Sequence, residues 1–332
     1  MEMSPWMLVG FLLAAYAVMA NDSLQTLGTY IASNASRTPK GLQMGFLSAI
    51  TISVMTVSWW INSGDPSWGR LEQIPLPAPF TWVYVVPPLA VLALTAWGAP
   101  VSTSFLVLCS IAPSSISPLL SSSLSGYVMA FSVGLTAWWA GLWLQERWAR
   151  EHWQTVQEEQ AISPLWIVLQ WLSTGLLWGT WMVQDLANIF VYLPRQLSGT
   201  ELAFSSLLLC GGLCVLVARG GGPIQAVLRS KTNTTDLRSA TLIDILFGVC
   251  LLARAFLSSF PLSTTWVFLG LLGGRELALK LHTKGLVALS TEPHAGELRR
   301  ILGGDLWKAC VGLGVSLTVA WGIQPFVLGA AG

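Results

Sequence analysis

The chain carries two polar signatures, each written twice, inside apolar runs of membrane-crossing length. Asn21-Asp22-Ser23-Leu24-Gln25 returns as Gln184-Asp185-Leu186-Ala187-Asn188, with the acids 163 residues apart (185 − 22 = 163). Pro100-Val101-Ser102-Thr103-Ser104 returns as Pro261-Leu262-Ser263-Thr264-Thr265 at nearly the same interval (261 − 100 = 161). Two signatures repeated in the same order mark an internal duplication. When the duplicated motifs interrupt apolar segments at corresponding positions, the pattern predicts a transporter with its site at the repeat interface.

Composition agrees with a membrane setting. Of the 332 residues, 53% are hydrophobic and 10% charged, whereas soluble domains carry about 25% charged residues. The expected surroundings are a lipid bilayer. A net charge of +1 gives no basic surface, so no nucleic-acid partner is expected. All five cysteines lie in apolar segments without metal-ligand spacing and read as small buried hydrophobes. Val18-Met19-Ala20 ends an apolar run as a secretory leader does, but only Glu2 and no Lys or Arg precedes it. The run reads as a retained first span.

The apolar segments fall at 5–34, 41–62, 80–97, 100–120 and 125–145, then at 164–194, 200–218, 239–258, 261–274 and 306–329. The predicted fold is an all-α polytopic membrane protein, an inverted-topology repeat of about five membrane segments each, with broken or re-entrant helices at the site. Repeat one spans 1–145, a charged cytoplasmic linker 146–163, and repeat two 164–332. Ser4-Pro5 and Ser163-Pro164 open the two repeats alike. The segments starting at Pro100 and Pro261 are short and rich in Pro, Ser and Gly, and either cross as broken helices or dip in and return. With five crossings per repeat and residue 1 outside, 14 of the 17 basic residues fall in inner loops, among them 219–238 and 275–305. That is the positive-inside asymmetry. An odd number of crossings inverts the second repeat and leaves both termini outside, in a plasma (inner) membrane.

A charged carboxylate at the centre of a membrane helix costs about 2.5–3.5 kcal/mol on insertion scales. It persists when protonated, paired or bound to a cation. Asn21 and Gln25 are four residues apart, as are Gln184 and Asn188, so each pair shares a helical face beside its acid. The predicted cation-coupling set is Asn21, Asp22, Gln25, Gln184, Asp185 and Asn188. Asp22 and Asp185 are the Na+ ligands if sodium is the coupling ion, and the same carboxylates can instead carry H+. The structural alternative is an acid capping a broken helix.

Pro100 and Pro261 suit first helical turns, where a missing N–H has no partner to lose. The N–H groups that follow point outward with the helix dipole, and hydroxyls stand beside them. The predicted anion-binding set is Ser102, Thr103, Ser104, Ser263, Thr264 and Thr265. Hydroxyls of this kind also back-bond to carbonyls or pack between helices.

These residues resemble the inorganic phosphate transporter family (PiT), which includes phosphate permeases and some sulfate permeases. Its members repeat a Gly-Ala-Asn-Asp-Val-Ala-Asn motif and, downstream in each repeat, Pro-Val-Ser-Thr-Thr-His. Here the first copy keeps Asn21-Asp22 and has Gln25 for the later Asn; the second has Gln184 for the first Asn and keeps Asn188. The family's His is Phe105 in one copy and Trp266 in the other. The resemblance covers both halves in order. It implies a secondary active transporter, an ion-coupled symporter of inorganic phosphate, with sulfate or another oxyanion as the alternative substrate. It implies Na+ or H+ as coupling ion, no other cofactor, and the acids and amides near the cation. A homodimer is an assembly open to such a chain. An enzyme is not expected, because no His lies in a span and no nucleophile–base constellation occurs. A non-transporting membrane subunit or sensor of the same fold is the remaining alternative.

Other polar residues read as structural. Asp244 lies near the inner end of its segment, where a helix N-terminus favours it. Arg254 is ten residues further, about 15 Å along a helix, and reads as snorkelling outward, with anion attraction as its functional alternative. Gly270 and Gly274 have packing spacing. His152, His282 and His294 fall in inner loops.

Overall fold

The computed structural model describes residues 4–35, 37–97, 101–151, 163–220, 237–258, 260–287, 307, 310–323 and 326. Among these residues there is helix and no strand. Pro100, the linker residues 152–162, most of 219–238, the stretch 288–305, His152 and His294 lie outside them.

Helix α1 (Pro5–Asn34) starts at Ser4, whose hydroxyl accepts the Met7 N–H at 3.3 Å, with Pro5 in the first turn. Helix α6 (Pro164–Asp185) opens the same way, Ser163 accepting the Leu165 N–H at 3.3 Å. Between them lie α2 (Lys40–Ile61), α3 (Val86–Ala96), α4 (Thr103–Ile111) and α5 (Ile116–Glu151). After α6 come α7 (Ala187–Phe190), α8 (Gly199–Ala218), α9 (Leu237–Leu257), α10 (Thr264–Val287) and the shorter apolar α11 (Cys310–Ile323). Five of these helices, α1, α2, α5, α8 and α9, are long and apolar enough to cross a membrane.

Two segments differ from the sequence reading. The stretch 100–120 is not one segment: α4 has nine residues, all buried, and spans about 14 Å of an approximately 30 Å hydrocarbon layer. The chain then turns at Pro113, and α5 runs 36 residues without the break expected near 121–124. One serine at this point, Ser125, returns its hydroxyl to the helix's own Ser122 O at 2.9 Å. Likewise α10 does not end at 274. Arg275 is buried, pairs with Glu276 at 2.7 Å and lies 5.5 Å from the Trp138 ring centroid on α5. It therefore belongs to a packed helix rather than a loop, and so do the expected interfacial segment from Glu276 and His282.

Along the α5–α10 seam, glycines bring main chain to main chain. A Cβ on Gly270 would sit 2.4 Å from Tyr127 O, on Gly274 2.1 Å from Phe131 O, and on Gly134 2.4 Å from Leu271 O. The Gly270–Gly274 spacing is packing, as expected. Helix α6 packs on α9, where Gly248 meets the Leu177 backbone. Cys109 and Cys250 are buried as expected, but Cys210 and Cys214 are half-buried and Cys310 is exposed.

Contacts between helix ends define two faces. Lys40 Nζ donates to Ala218 O at 2.7 Å, joining the start of α2 to the end of α8. On the opposite face, Leu197 N–H donates to Gly64 O at 2.9 Å and Arg195 Nη2 to Ile74 O at 2.8 Å. Burial pushes the Arg195 guanidinium down to about 10, against the pull of Asp65. This loop face gathers residues 62–81 and 191–198 with Ser258 and Phe260.

Candidate functional site

Helix α1 brings Asn21 and Asp22 into the interior at mid-length, and α4 and α10 bring the hydroxyl motifs to meet them. Asp22 accepts from Asn21 Nδ2 at 2.6 Å and from the Thr103 hydroxyl in a short hydrogen bond. Asn21 Nδ2 also donates to Val101 O at 2.6 Å. The helix runs through this acid unbroken, which corrects the expectation of an interruption there: the donors come from the preceding amide and from α4, so the α1 ladder has no need to open.

The second acid stands at a break. Helix α6 ends at Asp185 and α7 resumes at Ala187. Asp185 accepts from Thr264 Oγ1 at 2.5 Å, Asn188 Nδ2 at 2.8 Å and Ser104 Oγ at 3.5 Å. Asn188 Nδ2 reaches Thr103 Oγ1 and Ser104 Oγ as well, each at 3.1 Å. Motifs 85 and 84 residues apart in sequence are thus joined through one amide. Ser104 further donates to Leu262 O at 3.3 Å and Thr265 to Val101 O at 3.1 Å, so each hydroxyl motif bonds the main chain of the other.

Ser102 and Ser263 do something different from their neighbours. Their hydroxyl oxygens accept the Phe105 and Trp266 N–H groups at 3.3 and 3.4 Å and cap α4 and α10. Hydroxyl capping of orphan N–H groups is their first role. Phe105 and Trp266 pack on one another, ring centroids 5.8 Å apart.

The amides split into two classes. Asn21 and Asn188 bond the acids, whereas Gln184 Nε2 turns away to Leu251 O at 3.3 Å and Gln25 Nε2 has no partner. The carbonyl oxygens of Asn21, Gln184 and Asn188 are buried and accept no hydrogen bond. The donorless amide oxygens of Asn21 and Asn188, whose nitrogens bond two fully buried carboxylates, form with them a hard-oxygen donor set of the kind that suits Na+, a group these residues fit.

The sequence reading missed Asp244. Instead of the helix N-terminus expected for it, Asp244 lies eight residues into α9 and is fully buried. It accepts from Thr29 Oγ1 at 2.6 Å, Thr174 Oγ1 at 2.7 Å and Gln170 Nε2 at 2.9 Å. Thr241 Oγ1 in turn donates to Gln170 Oε1 at 2.6 Å. The one signal in the sequence was an acid inside an apolar run, without a second copy to draw attention to it. Arg254 stands half-buried in the last turn of α9 and donates to Ser122 Oγ at 2.7 Å.

No protein-family model and no curated protein sequence matches the chain. Among solved structures it is similar to one described as the sodium-dependent phosphate transporter, with a TM-score of 0.60 over 96% of this chain and 98% of that one. Identity is 13%. The two share a fold. The all-α polytopic membrane architecture expected from the apolar segments is therefore the one observed among the described residues.

Proposed function

We propose that this protein is a secondary active transporter that carries inorganic phosphate across a membrane together with Na+. The observation that carries the reading is the pair of donorless buried oxygens of Asn21 and Asn188 beside Asp22 and Asp185. A buried oxygen without a donor costs free energy unless a cation or a proton comes to it. The similarity in fold to a sodium-dependent phosphate transporter supports the same reading.

The hydrogen bonds suggest how cation and anion are coupled. Thr103 and Thr264 give their protons to Asp22 and Asp185, and Ser104 gives its own to Asp185 and Leu262 O. A cation held by the carboxylates takes over the role of those protons. The hydroxyls of Thr103, Ser104 and Thr264 are then free to turn toward an oxyanion, which needs donors to replace its lost water. The N–H groups at the starts of α4 and α10 add to the anion's shell. Cation binding thereby builds the anion site. The duplicated motifs belong to two repeats, 1–145 and 164–332, of inverted topology, with both termini and the loop face outside.

Uptake of radiolabelled phosphate and sulfate by proteoliposomes tests the reading. Phosphate should accumulate under an inward Na+ gradient, and sulfate should compete weakly. Accumulation driven by a pH gradient alone would replace Na+ with H+ as the coupling ion, and uptake of neither anion would leave a non-transporting membrane protein of this fold. Cysteine labelling in intact cells tests the orientation: positions 231 and 299 should be shielded from an impermeant reagent added outside.

A further inference from the structure

Two arginines of like charge lie together on the loop face, outside the site described above. Arg70 comes from the 62–81 loop and is only 4% exposed. Its Nη1 donates to Ser258 O at 2.5 Å and Phe260 O at 3.3 Å, at the end of α9. Arg254 occupies the last turn of α9, half-buried, with Nη2 donating to Ser122 Oγ at 2.7 Å. Its Nε–H is buried and has no acceptor. Among the described residues neither arginine is in an ion pair. Burial and then the Arg254 charge push the Arg70 guanidinium down to about 10, with Asp185 pulling the other way.

Ordinary structural roles explain only part of this. Arg70 caps carbonyls at a helix end, and a basic residue in the last turn of α9 suits the helix dipole. Neither role requires the two guanidiniums to share a half-buried spot, where like charges repel. Nor does either explain the Arg254 Nε. The Nε and Nη2 groups form the edge of a guanidinium that grips an oxyanion with two parallel bonds. Ser122 takes one of those two positions, and the other has no acceptor.

We propose that Arg70 and Arg254 form a second anion site, a capture site on the loop face for a tetrahedral oxyanion such as inorganic phosphate. The anion lies along the Nε–Nη2 edge of Arg254 and displaces the Ser122 hydroxyl, and Arg70 supplies the second positive charge. The connection inward is short. Ser122 neighbours Ser123, whose hydroxyl accepts the Ser263 N–H at 2.9 Å, and Thr264, next in sequence, donates to Asp185. The binding stands on the arginine geometry alone. Its role of delivering anions to the inner pair rests on the transport reading above.

The test titrates inorganic phosphate into purified full-length protein carrying Asp22→Asn, which weakens the inner cation pair and leaves the loop face intact. Phosphate should still bind, and adding Arg254→Gln should weaken that binding tenfold or more, the scale of one charge-assisted hydrogen bond. Arg254→Lys, a point charge without the fork, should fall between the two. Ser122→Ala, which removes the competing acceptor and leaves the arginines untouched, should bind at least as tightly as its parent, and it keeps the test alive if Arg254→Gln does not fold. In otherwise unaltered protein, Arg254→Gln should raise the KM for phosphate uptake by a larger factor than it lowers turnover at saturating phosphate. Undiminished phosphate binding by a folded Arg254→Gln protein, or weaker binding by Ser122→Ala, would overturn the proposal. If the unaltered protein takes up no phosphate, the transport reading fails by itself, and the titrations still report on this site.

Discussion

Asp22 sits on a helix that runs straight through it, while Asp185 ends one. Both acids are buried, and each accepts a hydroxyl from the hydroxyl motif of its own half of the chain: Thr103 for Asp22, Thr264 for Asp185. They differ in where the amide comes from. In the first copy the residue before the acid, Asn21, turns onto it. In the second the break lets Asn188, three residues beyond, fold back onto Asp185 and reach Thr103 and Ser104 across the site. In each copy the other amide slot holds Gln, and neither Gln25 nor Gln184 bonds its acid. The exchange of Asn and Gln between the copies thus follows the backbone: Asn stands where the helix path puts an amide within one short arm of the carboxylate. The second copy carries the cross-links and the first does not.

If that asymmetry matters, the largest effect belongs to Asp185. Asp185→Asn removes the acceptor of three side-chain donors and should reduce Na+-driven phosphate uptake at least about 100-fold, with Asp22→Asn about tenfold or more, each hydrogen bond to a charge being worth about 1.5–3 kcal/mol. The double variant should be little worse than Asp185→Asn alone, because residues of one unit do not add. Additive losses in uptake assays would mean two independent sites and would break the comparison. Asn188→Ala comes next: loss of the bridging amide should weaken phosphate binding about 10-fold and lower its dependence on Na+, whereas Asn21→Ala should leave the cross-links standing and cost less. Isothermal titration with and without Na+ distinguishes them.

Smaller effects sharpen the division between caps and donors. Ser102→Ala and Ser263→Ala should each remove about 1 kcal/mol of stability, the scale of an N-cap, and be visible as a lowered Tm. Phosphate affinity should change less in these two variants than in Thr264→Ala. The smallest effects are expected at the idle amides. Gln25→Asn and Gln184→Asn should leave uptake within about threefold, since neither amide holds an acid, and a loss as large as that of Asn188→Ala would remove the physical reason given for the Asn–Gln exchange.

Duplication made most of the site legible before any coordinates. Two acids and two hydroxyl triplets in matched order were enough to identify the residues that meet, because a repeated polar interruption of an apolar run has few structural uses. What stayed hidden depends on local geometry that such patterns do not encode. Whether Asn-Asp breaks its helix turns on which neighbour supplies the donor, and the same motif does so once and not the other time. Ser102 and Ser263 look identical to Thr103 and Thr264 as hydroxyls, yet a single position relative to the helix start makes them caps. Hydropathy points to a loop for Arg275 and a helix end for Asp244, but each is buried through partners far away in sequence, Trp138 for one and Thr29, Gln170 and Thr174 for the other.

The central claim is that a cation on Asp22 and Asp185 frees hydroxyls for the anion, and linkage makes it measurable directly. Phosphate affinity of the purified protein is measured in Na+ and in K+ at equal ionic strength, and Na+ affinity with and without phosphate. Phosphate should bind about 5- to 150-fold more tightly in Na+, the usual range of coupling between sites, and phosphate should tighten Na+ by the same factor. Equal phosphate affinity in the two salts, with the protein folded in both, would contradict the account.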